Sequence, residues 1–100
     1  MHTTHQVSLQ VDLFADIAVE LVRARTQFPG NAVMGLALLE EAGELSRALR
    51  EESAARVREE AIQVAVMAIR IVLDGDSSVD TVRRIHGLDA LPGAPVHDES

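Results

Sequence analysis

Glu40, Glu41 and Glu44 fall within five consecutive positions of this chain, and Glu60 and Gln63 repeat the i, i+3 spacing of Glu41 and Glu44 after 15 intervening residues. Carboxylates brought together out of bulk water repel: at 4 Å and an effective dielectric near 20, two unit charges cost about 4 kcal/mol. Such a group is tolerable with protons, arginines or a divalent cation. A hard cation such as Mg²⁺ takes oxygen ligands, and carboxylates on facing helices can supply them, with the amide oxygen of Gln63 as a neutral fifth donor. The chemistry that follows is metal-assisted handling of phosphates, in which the ion screens phosphate charge from the surrounding acids.

Two helices must position these groups. Met34, Ala37, Glu41, Glu44 and Ala48 follow 3, 4, 3, 4 spacing and share one helix face. In the stretch EEAIQVAVMAIRIVL (59–73), only Gln63 and Arg70 are polar among the thirteen residues after Glu60. Glu60, Gln63, Met67 and Arg70 therefore form a polar seam on a helix that is otherwise apolar nearly all round, and such a helix is expected to be buried nearly all round. One face of Val57, Ala61, Val64, Ala68 and Ile71 and another of Ile62, Val66, Ile69 and Leu73 leave more to cover than short neighbours in one chain can enclose. A subunit interface is the expected cover.

The remaining elements follow from periodicity and punctuation. Residues 1–7 lack a pattern and are expected to be a flexible tail. From a Ser8 cap, Val11, Phe14, Ala18 and Leu21, widened by Leu13 and Ile17, predict a helix over 8–27. It stops at Phe28-Pro29-Gly30-Asn31. A second helix over 32–50, capped by Asn31, carries Leu38, Ala42, Leu45 and Leu49 as its core stripe. Glu51-Glu52-Ser53 connects it to a third over 54–74, ended by Asp74-Gly75-Asp76. Ser77 or Ser78 caps a short fourth helix to about 86, stopped by Gly87, and 88–100 reads as a loose tail. No alternation of period two has useful length, so the fold class is all-α in a single domain over 1–100.

Bulk composition bounds the function. One hundred residues with 47% hydrophobic content exceed what so small a chain can bury alone, which again favours an oligomer. Nine arginines, no lysine and sixteen acids give a net charge of −7, which disfavours nucleic-acid binding. The absence of cysteine fits a reducing cytoplasm. There is no signal-peptide pattern, and the 61–73 run is too short for a membrane span and carries Arg70.

The strings ALLEEAGELSRAL (37–49) and VREEAIQVAVMAIRI (57–71) resemble the MazG-like, all-α nucleoside triphosphate pyrophosphatases, whose signature is E-E-x-x-E on one helix and E-x-x-D on the next. The likeness spans about residues 28–76. It implies a half-bundle completed by a homodimer or homotetramer into a four-helix core. It also implies Mg²⁺ (or Mn²⁺) bound by carboxylates and cleavage of a nucleoside triphosphate between its α and β phosphates. By matching positions, Glu41, Glu44 and Glu60 would be metal ligands, and Glu40 an additional ligand or the residue that orients the attacking water. Gln63 departs from the pattern, standing where the signature has Asp. The resemblance leaves Phe14 and Phe28 for a base and Arg47, Arg50 or Arg70 for phosphates.

Plainer roles stand beside these. The Glu40–Glu44 group would be a solvated face neighboured by Arg47 and Arg50, and Glu60 an acid favoured in the first turns of its helix. Phe28 would staple the turn, Phe14 would be core, and Arg70 would pair with a carboxylate. His2, His5, His86 and His97 carry no convincing ligand pattern. Asp74 and Asp76 form a turn within reach of a metal. A non-catalytic helical module, degenerate at Gln63, is the alternative to the enzyme.

Overall fold

The computed structural model describes residues 2–93, with side chains from residue 4 onward. The described residues are all-α: α1 (His2–Gln27), α2 (Met34–Glu51), α3 (Ala54–Asp74), and a 3₁₀ turn (Ser77–Val79) that runs into α4 (Asp80–Ile85). The third helix is central and packs against both α1 and α2. No helix among the described residues is long and apolar enough to cross a membrane.

The bounds of α3 match its sequence pattern, and the Ser53 hydroxyl caps it by accepting the Arg56 N–H at 3.2 Å. The start of α1 differs from expectation: the helix begins at His2 rather than at a Ser8 cap, so positions 2–7 are helical rather than a loose tail. A helix propagates through polar residues without an apolar stripe, because each added residue contributes one backbone hydrogen bond. The buried face of α1 is also rotated from the predicted one. Leu13, Ile17 and Leu21 pack with Ala24 against Ile62 and Val66 of α3, whereas Phe14 is 59% exposed. Both stripes are apolar, and only the contact with α3 decides which is core.

Capping of α2 also comes from an unexpected place. Val33 precedes it in the left-handed region (φ 50°) and offers no side-chain cap. Asn31 turns away, donating its amide to the carbonyls of Asp74 (2.9 Å) and Gly93 (3.2 Å). The cap is supplied across the fold by Asp76, whose Oδ2 accepts the Gly35 N–H at 2.7 Å, while Oδ1 accepts the Ser78 N–H and hydroxyl. Asp76, not Ser77 or Ser78, thus starts the 3₁₀ turn as well, and neither it nor Asp74 is left over for a metal.

The loop after α1 is clamped by Arg70, which is 4% exposed. Its Nη2 donates to the carbonyls of Phe28 (2.6 Å) and Gly30 (3.0 Å), and its Nε donates to Asp74 at 3.3 Å. Asp74 also pairs with Arg25 at 2.7 Å. The chain then crosses itself closely: Gly75 has φ 74°, and a Cβ there would lie 1.9 Å from the Pro92 carbonyl oxygen. Residues 91–93 are therefore packed against this turn rather than loose; 94–100, with His97, lie outside the described residues, as does the side chain of His2.

Very little apolar surface is enclosed. The buried hydrophobic residues are Ala24, Met34, Ala48, Ile62 and Val66, while Leu39 (70%), Leu49 (67%) and Val72 (68%) stand exposed. Leu49 was expected in the core of α2, and the face of α3 that carries Val72 is open in the single chain. The radius of gyration, 16.7 Å, exceeds the roughly 13 Å of a compact 100-residue domain.

Burial raises the Asp76 carboxyl, but hydrogen bonds from Ser78 and from the Gly35 and Ser78 amides outweigh it and hold the group below its ordinary value of 3.8. A depressed carboxylate stabilises the fold above its unfolded-state value and loses that effect as the pH falls through the folded one. Asp76→Ala is expected to lower stability by about 2 kcal/mol in urea unfolding at pH 7. The difference from the natural chain should shrink only below the ordinary 3.8.

Candidate metal centre and adjoining cleft

The seam on α2 faces α3. Met34 and Ala48, at its two ends, are buried, and Ala48 is fully enclosed. A methyl-sized contact at that point lets the helices approach closely, and the glutamates between these anchors meet Glu60 of α3, itself 5% exposed. One oxygen from each of Glu41, Glu44 and Glu60 lies within 4.8 Å of the others. Glu41 is half-buried and Glu44 exposed, so the group opens to solvent on one side.

Two oxygens of these three residues lack partners. Glu60 Oε1 accepts from Arg56 Nη2 at 2.5 Å, but Glu60 Oε2 and Glu41 Oε2 are buried with no hydrogen-bond donor. A buried acceptor left unsatisfied costs about 1–3 kcal/mol. Burial, followed by the adjacent Glu44 and Glu60 carboxylates, pushes the Glu41 carboxyl up to about 7. A proton on Glu41 would give its neighbours a donor; a divalent cation would serve both orphaned oxygens at once.

The donor set fits such an ion. Oxygens around Mg²⁺ at about 2.1 Å stand roughly 3–4 Å apart, so a group spanning 4.8 Å closes onto it by less than an ångström of side-chain movement. Of the other residues singled out in the sequence, Glu40 is exposed and outside the three-carboxylate group, and Arg47 is exposed on the same helix. Arg70 is held by Phe28, Gly30 and Asp74 in a scaffold role.

The amide nitrogen of Gln63 is engaged away from the Glu41, Glu44 and Glu60 group. Its Nε2 donates to Glu20 Oε1 of α1 at 3.0 Å. Hydrogen bonds from Arg23, then from Gln63, hold the Glu20 carboxyl down to about 2. Glu20 was not among the residues singled out from the sequence. Its signal lay in the helical register, since Leu13, Ile17, Glu20 and Ala24 follow 4, 3, 4 spacing and place a carboxylate inside the stripe that packs on α3.

Beside the carboxylates lies a cleft of about 400 Å³, at the small end of the range for ligand sites. Phe28, Met34, Ala37 and Met67 give it apolar walls, and Glu41, Gln63 and Arg70 supply its polar edge. Phe28, 63% exposed, stands at its rim, whereas Phe14 is on α1 and is not part of it. Glu41 thus belongs to both the carboxylate group and the cleft.

Comparison with protein-family models, with curated proteins and with solved structures finds no match to this chain.

A carboxyl raised in the folded state favours folding most below its unfolded-state value, and that stabilisation is lost as the pH climbs through the folded one. In metal-free buffer at pH 8, Glu41→Gln, which mimics the neutral form, is expected to stabilise the protein by about 2 kcal/mol after discounting for partial exposure. At pH 4.5 the two proteins should unfold at nearly the same urea concentration, because Glu41 is then protonated in the natural chain.

Proposed function

We propose that this chain is a Mg²⁺-dependent nucleotide pyrophosphohydrolase that converts a nucleoside triphosphate to the monophosphate and pyrophosphate. The observation that carries the reading is the pair of orphaned, buried oxygens on Glu41 and Glu60, set beside Glu44, with Glu41 also lining the adjoining cleft. Glu41, Glu44 and Glu60 would hold the ion, which when bound neutralises phosphate charge as the α–β bridge breaks. The apolar walls of the cleft suit the flat face of a base, with Phe28 at its rim. Water adds its oxygen to the α-phosphorus, the bond to the bridging oxygen breaks, and the water proton passes to a carboxylate.

A second copy of the chain belongs to this reading. The exposed Leu39, Leu49 and Val72, and a radius of gyration well above the compact value, support a homodimer or homotetramer in which the open face of α3 is covered. Glu40, exposed on the single chain, orients the attacking water in this scheme once that copy covers its face. Arg47 and Arg50, both exposed on α2, are the arginines available to phosphates in this scheme, since Arg70 is occupied by the loop.

Gln63 favours a second reading, a helical module that binds ligand without turnover. Its amide stands where the resembled signature has a fifth acid, and its nitrogen is directed to Glu20.

Pyrophosphate release from a panel of NTPs and dNTPs, with Mg²⁺ or Mn²⁺, separates the two. Turnover at least a hundredfold above Glu41→Gln is expected, and rates equal to that variant would sink the enzyme. Millimolar Mg²⁺ should raise the melting temperature of the natural chain and leave that of Glu41→Gln unchanged. Sedimentation velocity should give a mass at least twice the 10.8 kDa of one chain; a monomer would remove the second copy from the scheme.

A further inference from the structure

The α1 helix contributes to the site through a residue that does not reach the carboxylate group itself. We propose that Glu20 is a positioning residue: it fixes the side-chain amide of Gln63 so that the amide oxygen is presented to the cleft beside Glu41. The inference rests on the reading of Glu41, Glu44 and Glu60 as an ion site.

The direction of the amide follows from donor chemistry. An ionised carboxylate only accepts hydrogen bonds, so the group 3.0 Å from Glu20 Oε1 must be the nitrogen of Gln63. Because the amide is planar, its oxygen is then directed away from Glu20. Gln63 lines two hollows: one between α1 and α3 that contains Glu20, and the cleft that contains Glu41. With nitrogen committed to the first, oxygen is left for the second.

Glu20 is in turn held in place. Arg23, one turn further along α1, donates to both its oxygens. Arg23 also donates to Gln27 at 2.5 Å, so the guanidinium is tethered on both sides. The chain Arg23–Glu20–Gln63 is therefore a continuous hydrogen-bonded link from the solvent face of α1 to the polar seam of α3. A carboxylate behind a ligand's N–H group increases the electron density of the atom facing the ion and locks its orientation, and removing such a partner weakens metal affinity about 10- to 100-fold. By this route the position that lacks an acid in the seam still receives the influence of one, placed on a neighbouring helix.

The test is a double-mutant cycle on Mn²⁺ binding, followed by calorimetry on the full chain. Glu20→Ala is expected to weaken binding about tenfold in the natural background and to have almost no effect in Gln63→Ala. If Glu20 acted only through its charge, its removal would weaken binding equally in both backgrounds, and that result overturns the positioning role, as does an unchanged affinity in the single variant. A natural chain that binds no Mn²⁺ discards the ion site and this inference with it, whereas the other two outcomes discard the inference alone. A readout without metal accompanies the cycle: the Gln63 side-chain amide protons should exchange more slowly with solvent in the natural chain than in Glu20→Ala. Glu20→Ser, too short to reach Gln63, runs the same cycle if the alanine variant does not fold.

Discussion

The close packing of α2 on α3 governs this molecule, because it forces acidic side chains into a contact whose other members are methyl groups. Ala48 at one end and Met34 at the other are buried, and the register they fix carries Glu41 and Glu44, between them, to the side of α2 that meets Glu60. The result is two buried oxygens without donors and a Glu41 carboxyl pushed up to about 7, first by burial and then by the neighbouring Glu44 and Glu60 carboxylates. Such an arrangement does not add stability, since a buried acceptor without a donor destabilises the fold. Local instability held in place by good packing around it is the pattern expected where a ligand binds.

Support for this contact is drawn from outside the two helices. Asp76 satisfies the first amides of α2, Arg56 neutralises one face of Glu60, and Arg70 with Asp74 and Arg25 ties the end of α1 and its loop to the end of α3. These are long-range links between chain positions forty or more residues apart in the case of Asp76 and Arg70. They explain how so few enclosed apolar residues suffice to orient three helices, even though much apolar surface remains uncovered in the single chain.

The fold was largely legible where one pattern had one solution. The apolar density of 61–73 and the Asp-Gly-Asp end gave α3 its bounds, and the 3, 4, 3, 4 spacing of Met34 through Ala48 put the glutamates toward α3. It was less legible where two solutions had similar local merit. On α1 the stripes through Phe14 and through Ile17 are both apolar, so the buried one could only be known from its contact with Ile62 and Val66. The caps from Asp76 and the pairing of Gln63 with Glu20 depend on residues brought together by the tertiary fold, about which spacing within one helix carries no information.

Arg70 has a wider significance than its hydrogen bonds suggest. The same guanidinium fastens the Phe28–Gly30 carbonyls and stands at the edge of the cleft, so the width of the pocket mouth and the integrity of the scaffold share one bolt. A change in the Phe28–Gly30 loop would therefore reshape the cleft mouth and loosen the tie between the end of α1 and the end of α3 at the same time.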